Sequence, residues 1–182
     1  MNAKELLLQR QSTPRLISPA PVEADIEFML NAGMRAPDHG CLKPWFFTVI
    51  KDQGLHKLSK VFEQAAIELN FSQEKIEKAK KMPFRAPLII VISTQYQLHE
   101  KVPQIEQSIA AGCSTHAMQM AAFSLGYGAV WRTGDFSYND MVKSGLSINL
   151  ANDIIGFLYI GTPAKDIPIK PLKSIEHHVS YF

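Results

Sequence analysis

The sequence predicts an α+β fold in which helices flank a central mixed β-sheet. Three observations support this prediction. Helical and strand-like segments alternate without a regular βαβ rhythm, residues 88–92 form a continuous apolar strand, and residues 103–125 form a long helix with few polar side chains. The chain has 182 residues, of which 46% are hydrophobic and 20% charged, so we expect one domain spanning residues 1–182.

The amino-terminal half is predicted to begin with a helix that ends near Ser12-Thr13-Pro14, since proline disfavours helical geometry in the residue before it. Apolar side chains recur every three or four residues in the next two helices, and alternating charges indicate a solvated fourth helix. Phe46–Ile50 is rich in aromatic and β-branched residues, which is typical of a buried strand. The predicted helices span residues 3–11, 22–33, 55–69 and 73–81.

The carboxyl-terminal half is organised around the strand Leu88–Ile92 and the helix Pro103–Leu125. Pro103 suits the first turn of that helix, and Gly126 suits its end. The second half of the helix is small and apolar nearly all round, so another surface has to cover it. In a chain this short we expect that surface to belong to a second copy, which predicts a homodimer.

Two further strands are predicted at Ala129–Arg132 and Ile154–Ile160, and Gly156 is expected to interrupt the second of them. The residues from Ile167 to Phe182 contain prolines and end in aromatic side chains. Such a tail is not expected to extend into water, so it is predicted to pack on a surface of this chain or of its partner.

Composition and charge exclude several classes of function. The net charge of +2 is small and evenly spread, which argues against nucleic-acid binding. No apolar run is long enough to span a bilayer, and the amino terminus lacks the apolar region and cleavage site of a signal peptide. Cys41 and Cys113 stand apart from any other potential metal ligand, so we expect reduced thiols, no metal and a cytoplasmic protein.

Short motifs argue against the common catalytic families and favour a cofactor enzyme. The chain has no G-x-S-x-G, P-loop, G-x-G-x-x-G, H-E-x-x-H or C-x-x-C, which argues against hydrolases, kinases and Rossmann dehydrogenases. Arg10, Ser12, Arg132 and Thr133 are the kinds of donor that a bound phosphate requires, and Gly134 would let the backbone approach a ligand closely. Taken singly, each arginine also fits a surface ion pair.

Five blocks of the sequence together resemble the nitroreductase family, in order and over nearly the whole chain: LLLQRQS, AGMRAPDHGCLKPWFFTVI, FRAPLIIVIS, KVPQIEQSIAAGCSTHAMQMAAFSLGYGAVWRTG and IIGFLYIGTP. The resemblance implies an intertwined homodimer with FMN bound at the subunit interface. It also implies that NAD(P)H reduces the flavin and that a small acceptor, such as a nitro compound or a quinone, is then reduced in a ping-pong cycle.

The same resemblance assigns residues to a flavin site. It implies that Arg10, Gln11 and Ser12 hold the FMN phosphate and the flavin edge. It also implies that Arg35 and His39 reach FMN, one of them from the neighbouring subunit. A positive group near the flavin, with Arg35 or Arg10 as the candidate, would stabilise its reduced form.

A third stretch completes the implied pocket with Trp131, Arg132 and Thr133, followed by Gly134, although Trp131 also fits a core position. Contact with the nicotinamide nucleotide is implied at the end of the long helix, where packing in the core or an interface explains the same residues equally well. That stretch consists of Ala121, Ala122, Phe123, Ser124, Leu125 and Gly126.

One residue departs from the family pattern, which has two arginines before the serine. Gln11 takes the second place, where it can hydrogen-bond a flavin carbonyl or ring nitrogen but supplies no charge. If that charge stabilises reduced flavin, the potential of this protein is expected to be lower. His39 also fits a loop residue without a function. A metal site formed with Cys41 is the weakest of its three interpretations. A non-catalytic flavin-binding protein for storage or sensing remains the alternative function.

Overall fold

The computed structural model describes the whole chain, from Met1 to Phe182. Every predicted helix and strand is present, and β1 and α6 are additional. None of the helices combines the length and the hydrophobicity that a transmembrane span requires. The helices are α1 (Ala3–Gln9), α2 (Glu23–Gly33), α3 (Gln53–Glu68), α4 (Gln73–Lys81), α5 (Gln104–Ser124) and α6 (Asp140–Gly145), and the strands are β1 (Leu16–Ile17), β2 (Trp45–Lys51), β3 (Leu88–Thr94), β4 (Gly128–Arg132) and β5 (Ile154–Pro163).

Strand β5 lies at the centre of the sheet because it is paired along both of its edges. β3 pairs with one edge, where Ile90 lies opposite Leu158, and β4 pairs with the other, where Val130 lies opposite Tyr159. β1 continues that second edge beyond β4, and β2 pairs with the remaining edge of β3. The apolar β3 therefore lies inside the sheet, as its continuous hydrophobic sequence predicts.

The α+β class is confirmed, but all four strand pairs are antiparallel, where the sequence analysis predicted a mixed sheet. The connections explain the difference. Two consecutive helices, α3 and α4, separate β2 from β3, so the chain returns to the end of the sheet that it left, and β3 runs opposite to β2. The single helix α5 joins β3 to β4, which therefore run in the same direction, but β5 lies between them.

Each face of the sheet is covered by helices that contribute an apolar stripe. α3 packs on one face, where Phe62 stacks on Phe136 with ring centres 4.5 Å apart. α2 and α5 pack on the other face, where Met29 and Met118 are fully buried together with Leu158. Burial of side chains of this size contributes about 1.5–3 kcal/mol each, so these two clusters account for the position of the helices.

Helix α5 buries only one of its faces within the chain. Ala111 and Met118 point towards the sheet, whereas Ile105 and Ile109 are 64% and 59% exposed. Helix α1 has no buried residue, and its Leu7 is 69% exposed. A single chain therefore leaves apolar side chains of α5 and α1 exposed. The sequence predicts that a second copy covers α5.

Gly156 does not interrupt β5, so that prediction was wrong. The strand is continuous from Ile154 to Pro163, and its pairing with β3 shifts register beside the glycine. A Cβ atom on Gly156 would lie 2.1 Å from Nε1 of Trp131. The glycine therefore makes room for the indole of the neighbouring strand instead of ending its own strand.

Candidate functional site

The first predicted site stretch, Arg10–Ser12, directly follows α1. A capping box between Asn2 and Glu5 begins this helix, and the Arg10 N–H donates to the carbonyl of Leu6 where the helix ends. The Nη1 atom of Arg10 is buried and has no hydrogen-bond partner in the chain. A buried guanidinium nitrogen is costly to leave unpaired, so this atom is suited to an acceptor from outside the chain.

A backbone hydrogen bond joins this first stretch to β4. The N–H of Thr13 donates to the carbonyl of Ala129 over 2.9 Å. A Cβ atom on the next strand residue back, Gly128, would lie 2.6 Å from Cδ2 of Leu16 and 2.8 Å from Cγ2 of Thr13. Only glycine therefore lets the amino-terminal segment lie against β4 at this position, four residues before Arg132.

The end of β4 carries Trp131 and Arg132 on opposite faces of the sheet, as neighbouring residues of a strand must be. Nε1 of Trp131 donates to the carbonyl of Ile155 over 3.1 Å. The Arg132 guanidinium lies over the ring of Tyr159, 5.7 Å from its centre, and its Nε atom is buried without a partner. A cation over an aromatic face is attracted to it, but the ring accepts no hydrogen bond from Nε in this geometry.

The hydroxyl beneath Arg132 does not neutralise it. Burial raises the pKa of Tyr159 to about 12, although Arg85 and Arg132 act in the opposite direction. Tyr159 is therefore uncharged at neutral pH, and the guanidinium keeps its full positive charge. Arg85, which comes directly before the β3 segment, was not singled out by the sequence analysis.

Thr133 and Gly134 form the exposed turn that follows β4. Gly134 has φ = 107°, a backbone conformation that residues with a side chain rarely adopt. Its carbonyl accepts a hydrogen bond from the N–H of Ser137, which closes the turn. No atom lies within 4 Å of a Cβ atom added to Gly134, so there is space for a ligand to approach the backbone here.

The five arginines of the chain have no carboxylate partner, whereas three of its fourteen lysines do. None of the five arginines, Arg10, Arg15, Arg35, Arg85 and Arg132, forms an ion pair with a carboxylate of this chain. The buried or bridging lysines do so, for example Lys80 with Glu63 over 3.1 Å. A surface ion pair, which would have been another explanation for each arginine, is therefore absent at the predicted site positions.

Arg35 and His39 lie in the connection between α2 and β2. Arg35 borders a largely apolar cavity of about 560 Å³, whose walls come from α1, α2 and α5 and include Cys113 and His116. His39 is exposed and its Nδ1 lies 2.6 Å from Oε2 of Glu106, on the first turn of α5. No hydrogen bond or ion pair joins either residue to the stretches Arg10–Ser12 or Trp131–Gly134 in one chain.

The side chain of Gln11 is engaged by the carboxyl-terminal segment of its own chain. Its amide nitrogen donates to the carbonyls of Ile167 and Pro168, and its oxygen accepts from the N–H of Lys170. Both N–H groups of the carboxamide and one of the two lone pairs of its oxygen are thus used within the chain. That Gln11 bonds a flavin atom stays a prediction.

The stretch implied for the nicotinamide nucleotide divides between core and surface. Ala121 and Ala122 are buried, Phe123 is half-buried, and Ser124 to Gly126 are exposed. Ala121 and Ser124 border the 560 Å³ cavity, whereas Phe123 and Gly126 border a separate cavity of about 200 Å³ beside Gln11. Core packing thus explains Ala122, whereas Ala121 and the later residues border cavities that a ligand could enter.

Sequence reasoning missed Glu106, Tyr159 and the tail residues that contact Gln11. Glu106 lies 67 positions after His39, and no periodicity or motif connects them. In the sequence, Tyr159 lies within the apolar run of β5 and cannot be distinguished from the other core residues of that strand. These partners become visible only when the chain is folded.

Comparison with known proteins identifies the family. The sequence model of the nitroreductase family matches residues 7–162. A curated relative from Escherichia coli strain K12, named "Putative NAD(P)H nitroreductase YdjA", is 44% identical over 163 residues, which cover 90% of this chain and 89% of that protein.

Solved structures show the same fold. A nitroreductase-like family protein from Bacillus cereus has a TM-score of 0.86 at 22% identity, covering 100% of this chain and 96% of that one. A nitroreductase with bound FMN from Bacteroides fragilis has a TM-score of 0.77 at 19% identity, with both chains covered completely. The family match, the 44% identical relative and the shared fold agree, and the chain belongs to the nitroreductase family.

Proposed function

We propose that this protein is an FMN-dependent oxidoreductase that takes reducing equivalents from NAD(P)H and passes them to a small acceptor such as a nitro compound or a quinone. The observation that carries the proposal is the pair of buried guanidinium atoms, Nη1 of Arg10 and Nε of Arg132, that have no partner in the chain. The Thr13–Ala129 hydrogen bond holds the two stretches that bear them on neighbouring segments.

These residues fit the phosphate end of FMN. Charged donors are roughly twice as strong as neutral ones when they bond a phosphate, and Arg10 and Arg132 offer donors that no carboxylate of the chain occupies. The exposed hydroxyls of Ser12 and Thr133 lie on the same two stretches and can add neutral donors. A nitroreductase from Bacteroides fragilis that has the same fold holds bound FMN, which supports the choice of cofactor.

A homodimer would complete the site, because Arg35 and His39 are not joined to the other stretches within one chain. The exposed apolar stripe of α5, with Ile105 and Ile109, continues into the 560 Å³ cavity that Arg35 borders. The helix α1 is only seven residues long and has no buried side chain, and such short helices are marginal without tertiary packing. A second copy placed on this surface would cover both helices and supply one of these two residues, Arg35 or His39.

When bound, FMN supplies the two-electron carrier that accepts hydride from NAD(P)H and reduces the acceptor. The chain supplies binding, orientation and a positive field. Arg10 and Arg132 anchor the phosphate, Arg35 brings a positive charge to the apolar cavity, and the accessible residues Ser124 to Gly126 are proposed to contact the nicotinamide nucleotide. If a second copy covers the cavity, its apolar walls would exclude water and strengthen the field of Arg35.

Anaerobic titration of the FMN-loaded protein with NADH and with NADPH tests this proposal. We expect the visible flavin absorption to bleach with at least one nucleotide and to return on addition of a nitro compound or a quinone. A yellow protein that neither nucleotide bleaches would indicate storage or sensing instead. A protein that cannot be loaded with FMN would refute the proposal altogether.

A further inference from the structure

The carboxamide of Gln11 is the only group that hydrogen-bonds residues 165–182 to the rest of the chain. Nε2 lies 3.3 Å from the carbonyl oxygen of Ile167 and 3.0 Å from that of Pro168. Oε1 lies 3.3 Å from the N–H nitrogen of Lys170. The other hydrogen bonds of the tail are local to it, and the last backbone bond before it runs from Ala164 to Arg15.

The chemistry of glutamine matches this role. A carboxamide donates and accepts at the same time, which three bonds to an irregular backbone require. An arginine could donate to the two carbonyls but could not accept from the Lys170 N–H, and a glutamate could accept but not donate. The tail backbone beyond Lys170 forms no further contact of this kind and is exposed throughout.

The bonded segment forms one wall of the 200 Å³ cavity next to the Arg10–Ser12 stretch. Lys165 and Ile167 border this cavity together with Gln11 and Thr13. Lys165 belongs to none of the ion pairs of the chain. Fixing the segment therefore also fixes Lys165 and its neighbour Asp166, which both border the cavity beside Gln11.

We infer that Gln11 is a positioning residue that fastens the carboxyl-terminal segment 167–170 onto the cofactor-binding stretch, so that the segment retains FMN while Gln11 itself does not touch the flavin. The part of this inference that concerns FMN rests on the proposed function. The fastening of the tail does not, because it follows from the hydrogen bonds of the chain alone.

Limited proteolysis of the full-length protein with trypsin tests the fastening. Lys165 and Lys173 flank the bonded segment, and cleavage after each is followed by mass spectrometry. In Gln11→Leu, which removes all three bonds, we expect cleavage at these two lysines to accelerate about tenfold or more. Gln9→Leu is the matched control, since the side chain of Gln9 makes no hydrogen bond, and its tail should be cleaved at the wild-type rate.

Rescue and flavin measurements separate positioning from direct contact. Gln11→Arg, which can keep the two donated bonds, should retain more tail protection than Gln11→Glu, which can keep only the accepted one. In Gln11→Leu, which adds no charge, the FMN dissociation rate should rise together with tail cleavage, while the flavin reduction potential stays at its wild-type value. If Gln11→Leu shifts the potential but leaves the tail protected, Gln11 is a flavin ligand and the inference is overturned.

The two proposals fail in distinguishable ways. A protein that never binds FMN, but whose tail is released in Gln11→Leu, refutes the proposed function and keeps the fastening. A protein that binds FMN, with a tail that is cleaved equally in wild type and in Gln11→Leu, refutes the fastening and keeps the function. If Gln11→Leu does not fold, the comparison of Gln11→Arg with Gln11→Glu decides.

Discussion

The guanidinium of Arg132 lies 5.7 Å from the centre of the Tyr159 ring, and its Nε atom is buried without a hydrogen-bond partner. The ring orients the cation but cannot neutralise it, because burial keeps the tyrosine protonated. A charged donor is thus held in a fixed place at the edge of the sheet and remains available to an anion. This relationship leads to the first two predictions.

Replacing Arg132 with Gln should weaken FMN binding by about 10- to 100-fold, because a charge-assisted hydrogen bond to the phosphate is lost. Fluorescence titration of the apoprotein with FMN measures this change. The free energy of unfolding of the apoprotein should change by less than about 1 kcal/mol, since the lost cation–π contact is offset by removal of an unpaired buried donor.

Arg15→Gln is the control for that measurement. Arg15 is exposed, directly precedes β1 and forms no ion pair, but it has no buried nitrogen that lacks a hydrogen-bond partner. Its substitution should leave the FMN affinity within about twofold of wild type, because the charge of an exposed side chain contributes little. Equal losses in both variants would point to a general effect of positive charge and not to a phosphate contact.

Tyr159 should make the protein less stable at high pH. Its pKa is about 12 in the folded chain, above the ordinary value of 10.0. Above pH 10 the unfolded chain loses this proton first, so stability is fully present below pH 10 and falls as the pH rises towards 12. The loss amounts to about 3 kcal/mol by the time the pH reaches the folded pKa and beyond.

Tyr159→Phe removes this ionisation while keeping the ring beneath Arg132. Denaturant titrations at pH 9 and at several values above pH 10 should show a smaller decline for the variant than for wild type. Lysines also titrate in this range, but they do so in both proteins, so the difference between the two curves isolates Tyr159. Parallel curves would contradict the assignment of the raised pKa.

Gly156→Ala should destabilise the protein by about 3 kcal/mol or more, because a Cβ atom there would lie 2.1 Å from Nε1 of Trp131 and would displace the indole from its bond to Ile155. Urea denaturation followed by tryptophan fluorescence measures the loss. Gly112→Ala is a matched control, since its Cβ would lie 3.6 Å from Cη2 of the same tryptophan, an ordinary contact. A comparable loss in both variants would contradict the steric explanation.

Ile109→Glu should prevent the proposed dimer from forming, because it places a charge in the apolar stripe of α5. Sedimentation velocity should show a monomer, and FMN should be lost from it, since the residue that a second copy supplies, Arg35 or His39, would no longer reach the site. Ile67→Glu, at a residue of similar exposure on α3, should remain dimeric and yellow. A flavin-loaded monomer of Ile109→Glu would contradict the interface.

Local patterns predicted most of the elements, and their errors have physical causes. The helix predicted at Pro103–Leu125 is α5, Gln104–Ser124, because proline at its start and glycine after its end act locally on the backbone. The two-residue strand β1 escaped prediction because its pairing with β5, and not its own sequence, defines it. Gly156 was misread as an interruption because the Trp131 ring that needs the space lies on another strand.

The sequence by itself determined the α+β class, the family and the residue types that suit a phosphate, because periodicity, composition and short motifs are properties of neighbouring residues. Only the tertiary structure decided that the sheet is antiparallel, that Arg10 and Arg132 keep unpaired buried nitrogens, and that Gln11 bonds the tail. The partners of Gln11 stand 156 to 159 positions away, and no local signal encodes a contact across that distance.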